Sequence, residues 1–191
     1  SLTFTNRKVV LDNGASGRIT KYSTFLPDSN LIVLQESVKF DPAHGGMLAS
    51  RDAFGNYGAA DGRLYLIDIA NSGHVELTQA NAGNVPADAE HNYEPFALPV
   101  PAGGYYWVVF TSIREYGNMF QGAQVRKQLW VAAITPNGTA DPSHPPFFLP
   151  NQTASKNERG FWALDPCKPK GASCETGDEC CEGFCVTQNP G

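Results

Sequence analysis

Short apolar or alternating runs separated by turn residues dominate the chain, and this pattern is typical of β-strands. No window of about 12 residues combines helical apolar spacing with freedom from glycine and proline, so long helices are not predicted. Turn-forming sequences such as DNG, NSG and PNG separate the runs. The predicted strands are Lys8–Leu11, Asn30–Glu36, Arg63–Ile69, His74–Thr78, Tyr105–Ser112, Lys127–Ile134 and Pro146–Pro150. The sequence therefore predicts an all-β fold class.

Part of the chain is repeated. RDAFGNYGAADGRLYLIDI at 51–69 aligns with REYGNMFQGAQVRKQLWVAAI at 114–134, and FLPDSNLIVL at 25–34 aligns with ALPVPAGGYYWVVF at 97–110. Each unit would hold three or four antiparallel strands, and such units pack side by side in β-propellers. We therefore expect 1–165 to be a propeller-like segment with blade units at about 21–80 and 90–150. A β-sandwich with coincidental similarity is the alternative.

The first unit resembles the blades of TolB-like propellers. FLPDSNLIV supplies a Pro-Asp turn before an apolar strand, and GRLYLIDIANSGHVELT supplies a Leu-Tyr-apolar-Asp strand that leads to Leu-Thr. The second unit departs from this pattern, because Pro99–Gly104 replaces the Pro-Asp turn and Ala132 stands where the first unit has Asp68. The resemblance covers about residues 20–150 and implies a partial propeller of about two to three antiparallel blades. A closed propeller needs about four blades or more, so we expect a longer chain or other copies to complete it.

All five cysteines lie near the end of the sequence, with the spacing C-x6-C-x5-C-C-x3-C. Structural zinc sites usually combine two closely spaced C-x2-4-C pairs, whereas this spacing supplies a single C-x3-C, and the C-x-x-C of redox centres is absent. Small cysteine-rich segments bury too little apolar area to fold alone, and crosslinks compensate for the missing core. The spacing therefore favours a small disulfide-rich module at 166–191.

This cysteine pattern resembles the first five members of the inhibitor cystine knot, or knottin, family. The resemblance implies the disulfides Cys167–Cys181 and Cys174–Cys185, and it leaves Cys180 with its partner missing. On this interpretation the module is truncated. Disulfides persist in oxidising compartments, so we expect an extracellular, cell-surface or periplasmic location.

Composition and charge exclude several classes of partner. The formal net charge is −5, whereas a nucleic-acid binder needs a basic face that displaces counterions. No apolar run approaches the roughly 18 residues that a membrane-spanning helix requires. We therefore expect neither nucleic-acid binding nor a membrane span.

Two features are candidates for function. A loop of the form Arg-acid-aromatic-Gly-Asn recurs, and its arginines would either bind carboxylates or phosphates or pair with acids between blades. Asn137 and Asn151 begin N-glycosylation sequons in predicted turns. The loop residues are Arg51, Asp52, Asn56, Arg114, Glu115 and Asn118.

No serine-hydrolase motif, metal-ligand spacing or calcium loop accompanies these features, so we expect no enzyme activity, no metal and no cofactor. The leading hypothesis is a non-catalytic secreted or cell-surface binding scaffold whose partners are protein chains, the remainder of a longer propeller, or glycans held by surface aromatics. The alternative is a structural subunit of an extracellular assembly or filament, in which neighbouring copies complete the sheet edges as a homo-oligomer. A propeller-associated hydrolase or lyase is the least favoured hypothesis.

Overall fold

A computed structural model describes residues 5, 8–14, 18–38, 62–119, 126–136, 140–152, 154–163, 168 and 172–173. These residues form two four-stranded antiparallel sheets, which confirms the all-β prediction. Among the described residues, no helix has the length and apolar character needed to cross a lipid bilayer. The five cysteines, the loop residues Arg51, Asp52 and Asn56, and Asn137 lie outside the described residues.

The first sheet is a meander in which neighbouring strands follow one another in the chain. Its strands are β1 (Arg18–Phe25), β2 (Leu31–Val38), β3 (Gly62–Asp68) and β4 (Gly73–Glu76). Aspartates build two of its turns: Asp28 Oδ1 accepts hydrogen bonds from the backbone N–H groups of Asn30 and Leu31, at 3.0 and 3.1 Å. Asp68 Oδ1 does the same for Ala70 and Asn71, at 2.9 and 3.1 Å. Short side chains of this type fold back onto the backbone and favour tight turns.

The second sheet repeats the meander. It follows helix α1 (Thr78–Asn81) and a short 3-10 helix at Pro86–Glu90. Its strands are β5 (Asn92–Ala97), β6 (Tyr106–Ser112), β7 (Gln128–Ile134) and β8 (Phe147–Phe148), again paired in chain order. The two sheets thus occupy 18–76 and 92–148, and each is an up-and-down set of four strands.

One hydrophobic core joins the two sheets. Val33, Leu64 and Leu66 of the first sheet share a buried cluster with Phe110 and Trp130 of the second. β5 is the strand that makes this junction, because it contacts β1, β2 and β3. Buried aliphatic and aromatic area of this kind stabilises the fold by about 25 cal/mol per Å².

The apolar strand predictions are confirmed with one exception. Lys8–Leu11 does not form a strand. Val10 and Leu11 instead pack on Ile32 and Leu34, on the face of the first sheet opposite to the shared core. The apolar run therefore covers a sheet face and does not pair with an edge.

Candidate functional site

Three residues that lie in strands or in segment 154–163 have left-handed backbone conformations, which are uncommon outside glycine. Tyr22, Glu94 and Arg159 have φ values of 50°, 54° and 53°. The other described non-glycine residues with positive φ, Ser29, Ser72 and Asn151, lie in turns or bends. Left-handed backbone costs a non-glycine residue roughly 1–2 kcal/mol, so surrounding contacts must hold each of the three in place.

Two of these residues sit at the same position of their sheets. Tyr22 lies where the β1–β2 register shifts between Lys21 and Thr24, and Glu94 lies where the β5–β6 register shifts between Tyr93 and Phe96. Such a shift is a β-bulge, which removes a residue from the ladder and turns its side chain in a new direction. Tyr22 and Glu94 are 72 residues apart, which is also the spacing of Pro27 and Pro99 in the sequence repeat.

A recurring hydrogen bond holds the left-handed residues of successive units. The N–H of Glu94 donates to Gln35 Oε1 of β2 at 3.0 Å, and the N–H of Arg159 donates to Thr111 Oγ1 of β6 at 3.0 Å. Gln35 pairs with Lys21 and Thr111 pairs with Tyr93, so both acceptors oppose the residue before a left-handed position. Gln35 and Thr111 are buried. Each acceptor therefore holds the left-handed residue of the segment that follows its own sheet.

The three left-handed residues surround one open pocket of about 210 Å³, which we call the bulge pocket. It is lined by charged and aromatic side chains together with Ser23, Pro95 and Gly160. This combination of apolar lining with a few convergent polar groups is typical of small-molecule sites. The side chains that matter for its chemistry are Tyr22, Glu94, Phe96, Arg159 and Phe161.

Arg159 is oriented by aromatic rings. Its guanidinium carbon lies 5.5 Å from the ring centroid of Tyr22 and 5.9 Å from that of Phe161, within the range of cation–π attraction. Phe161 packs edge-on against Phe96 at 5.1 Å, and Trp162 Nε1 donates to the Phe96 carbonyl at 3.0 Å. No carboxylate of the described part of the chain pairs with the Arg159 guanidinium, and Arg159 lines the bulge pocket.

Glu94 supplies the opposite charge. Its Oε2 accepts a hydrogen bond from the Thr111 hydroxyl at 3.2 Å, while that hydroxyl also accepts the Arg159 N–H. Within the described ranges no lysine or arginine forms an ion pair with Glu94. The pocket thus holds one cation and one anion, each positioned by neutral neighbours.

The predicted loop arginine Arg114 lies elsewhere and is buried, with 3% of its surface exposed. Its guanidinium donates to the carbonyls of Ala82 at 2.6 Å and Ala80 at 2.9 Å, and it also bonds the Asn92 side chain. Burial lowers the pKa of Arg114 to about 10. The side chain joins the second sheet to helix α1, which supports the architectural interpretation of the recurring loop; its partners are carbonyl and amide oxygens where a pairing acid was expected.

The other predicted loop and surface residues are spread over the molecule. The Glu115 backbone contacts Asp88 and Asn84, whose side chains bond its N–H and its carbonyl at 3.2 Å each. Asn118 lies in an exposed turn and Asn151 in an exposed bend. None of these three lines the bulge pocket.

A second pocket of about 580 Å³ lies at the turn end of the first sheet, where Asp28 and Asp68 line it. Both carboxylates are engaged in the turns described above, and the side-chain and backbone N–H groups of Asn71 lower the pKa of Asp68. In the ranges that the structure covers, no group of three histidine, cysteine, aspartate or glutamate side chains is arranged to hold a metal ion. Because its two carboxylates are already engaged in turns, this larger pocket offers less to a ligand than the bulge pocket.

The structure also gathers four rings on one exposed area of the second sheet. Tyr105 packs edge-on against Trp107 at 6.1 Å and against His144 at 5.3 Å, and Trp107 lies 6.3 Å from Phe147. Tyr105 and Phe147 are 36% and 49% exposed. We call these four residues the aromatic group; sequence reasoning expected exposed aromatics and did not say which.

Sequence reasoning missed the bulge pocket altogether, because its three defining residues share a backbone conformation and no residue type. No protein family, curated protein or solved structure matches the chain. A function for the chain is therefore argued from its own residues.

Proposed function

We propose that this chain is a non-catalytic binding scaffold of propeller type, in which each meander sheet is one blade and the bulge pocket is the ligand site. The observation that carries the proposal is the recurring hydrogen bond from Glu94 to Gln35 and from Arg159 to Thr111. The bond to Gln35 links the first sheet to the second, and the equivalent bond to Thr111 links the second sheet to segment 154–163. A repeated relation between consecutive units is what a propeller requires.

The bulges support a binding role for the pocket. Three strained, non-glycine residues converge there, and backbone strain concentrates at sites where a side chain must be aimed. Inner strands of a propeller line its axis, where loops and bulges present side chains to ligands. The pocket offers charge, hydrogen-bonding groups and ring faces, a combination that suits ligand binding.

The proposal also implies other blades and an oxidising location. The described residues hold two sheets, and a closed ring takes about four or more, so a longer polypeptide or neighbouring copies would supply the rest. The cysteine spacing supports secretion or surface display of a knottin-like module. Peptide mapping without reduction tests that module: Cys167–Cys181 and Cys174–Cys185 are expected, and five free thiols would contradict it.

Array binding with two matched variants tests the site. The 191-residue chain is applied to arrays of defined glycans, peptides and small metabolites, in parallel with Arg159→Gln and with Phe147→Ala. We expect a ligand whose signal is lost with Arg159→Gln and kept with Phe147→Ala. A signal that Arg159→Gln leaves unchanged would place the ligand elsewhere, and no signal on any array would contradict the binding role.

Glycan binding at the aromatic group is the second candidate, favoured by the exposure of Tyr105 and Phe147 beside Trp107. Ring faces at a surface stack on the apolar faces of sugars, and aromatic residues dominate the energetics of such contacts. Here the pattern on the same arrays reverses: a glycan signal disappears with Phe147→Ala and persists with Arg159→Gln.

A further inference from the structure

We propose that the bulge pocket binds a small zwitterion that carries one ammonium and one carboxylate group together with an apolar side chain, of the kind found in a free α-amino acid. This inference rests on the proposed function, because it names the ligand class of the same pocket. It follows from three features of the lining: a cation and an anion that have no oppositely charged partner among the described residues, and apolar side chains beside them.

The cationic half is Arg159. Its guanidinium is held over the rings of Tyr22 and Phe161, and no described carboxylate pairs with it. A planar guanidinium offers paired N–H donors that match the two oxygens of a carboxylate. Because the rings hold the side chain, little conformational freedom is lost when the carboxylate binds.

The anionic half is Glu94. The backbone of Glu94 is held in the bulge by the hydrogen bond from its N–H to the Gln35 side chain. Its carboxylate accepts a hydrogen bond from the Thr111 hydroxyl at 3.2 Å. That leaves lone pairs on the carboxylate for a donor of positive charge, which an ammonium group with three N–H bonds satisfies. An anion without an ammonium would meet Glu94 as a like charge, and this disfavours simple carboxylates and phosphates.

Opposite charges that line one pocket would be expected to pair with each other, yet Arg159 and Glu94 do not. The guanidinium of Arg159 lies over an aromatic ring, and the Thr111 hydroxyl donates a hydrogen bond to one carboxylate oxygen of Glu94. A ligand with both charges would pair with Arg159 and with Glu94 at the same time. Phe96, Phe161 and Pro95 supply the apolar contact for its side chain. The volume of about 210 Å³ lies below the range of roughly 300–1,000 Å³ for sites of drug-sized ligands, so the pocket fits a small ligand.

Three related probes test this with the full chain. L-leucine carries both charges, leucinamide lacks the carboxylate, and N-acetyl-leucine lacks the ammonium. Isothermal titration is expected to show L-leucine binding at least about tenfold more tightly than either analogue, since each removes one charge-assisted contact. Equal binding of L-leucine and N-acetyl-leucine, or no binding of L-leucine, would overturn the inference.

Two variants assign the contacts. Arg159→Gln should remove the preference for L-leucine over leucinamide, and Glu94→Gln should remove the preference over N-acetyl-leucine while the amide oxygen still accepts from Thr111. Far-UV circular dichroism confirms that both variants fold. L-leucine binding that neither variant weakens would also overturn the inference. If arrays reveal a different ligand lost with Arg159→Gln while L-leucine does not bind, the binding scaffold stands and the zwitterion does not.

Discussion

The backbone N–H of Glu94 donates a hydrogen bond to the side-chain oxygen of Gln35, which stands 59 residues earlier in the chain, at 3.0 Å. Gln35 belongs to the second strand of one sheet and Glu94 to the first strand of the next. Because Glu94 lies in a bulge, its N–H has left the regular ladder and needs a partner from another element. The bond therefore fixes the position of one sheet on the other as well as the direction of the Glu94 side chain.

Replacing Gln35 with leucine should destabilise the protein. The substitution keeps the volume of the side chain but leaves the N–H of Glu94 without its acceptor, and an unsatisfied buried donor costs about 1–3 kcal/mol. The free energy of unfolding from urea denaturation measures the loss. Ser23→Ala, an exposed change in β1, serves as the control and should stay within about 0.5 kcal/mol. An equal loss in both variants would show that the hydrogen bond contributes nothing specific.

The Thr111 hydroxyl should matter for both folding and ligand binding. Thr111→Val removes the acceptor of the Arg159 N–H and the donor to Glu94 in a single change of nearly equal shape. We expect about 1–3 kcal/mol of lost stability and weaker binding in the bulge pocket, measured by urea denaturation and titration. Thr111→Ser keeps the hydroxyl and should retain most of both. If serine and valine behave alike, packing of the methyl group and not the hydroxyl explains the role of this residue.

The apolar strands could be predicted from the sequence, while the site could not. β2, β3, β6 and β7 are buried on their faces, so continuous apolar runs identify them. β1 is half-exposed and rich in polar residues, and β5 contains Pro95 and the Glu94 bulge, so neither carries the apolar signal of a strand.

The bulge pocket escaped prediction for a related reason. Tyr22, Glu94 and Arg159 are aromatic, acidic and basic, so no motif connects them. Their common property is a left-handed backbone. For Glu94 and Arg159 a side chain of a neighbouring strand holds this conformation, which depends on tertiary packing. By contrast, Arg114 could be singled out from the sequence, because an arginine recurs at this position of the repeated loop. In the structure its guanidinium donates to buried carbonyl groups, which requires that residue type.

Removal of the buried Arg114 guanidinium should be severely destabilising. Arg114→Met keeps the aliphatic packing against Trp130, whose ring lies 4.8 Å from the guanidinium, but deprives the carbonyls of Ala80 and Ala82 of their donors. Hydrogen bonds from charged groups contribute about 1.5–3 kcal/mol each, so a loss of at least about 2 kcal/mol is expected in urea denaturation. Arg159→Met, at an exposed position, is the matched control. A loss no larger than that of the control would contradict a structural role for Arg114.

Burial of His91 should make the protein less stable in weak acid. Desolvation lowers the pKa of His91, although Asp88 and Glu90 act in the opposite direction. A histidine whose folded pKa lies below its unfolded value of about 6.5 binds protons more readily when unfolded, so stability falls as the pH drops through that value. Urea midpoints at about pH 7.5 and pH 5.5 should differ more for the native chain than for His91→Gln. An equal difference in both proteins would assign the acid sensitivity to other groups.

Close contact at Gly62 should make this position intolerant of any side chain. A Cβ placed on Gly62 would lie 2.3 Å from the Tyr93 ring and 2.7 Å from the Asn92 carbonyl, and Gly62 bridges to His91 between the two sheets. Gly62→Ala therefore has to displace β5 or the Tyr93 ring, and overpacking of this kind costs about 1–3 kcal/mol. In Gly73→Ala, the corresponding contact is 3.4 Å from the Asp68 Cβ, so thermal denaturation should show a clearly smaller change in Tm. Because β5 also carries the Glu94 bulge, Gly62→Ala should weaken ligand binding in the bulge pocket as well. Unchanged binding with lowered stability would show that the pocket does not depend on the position of β5.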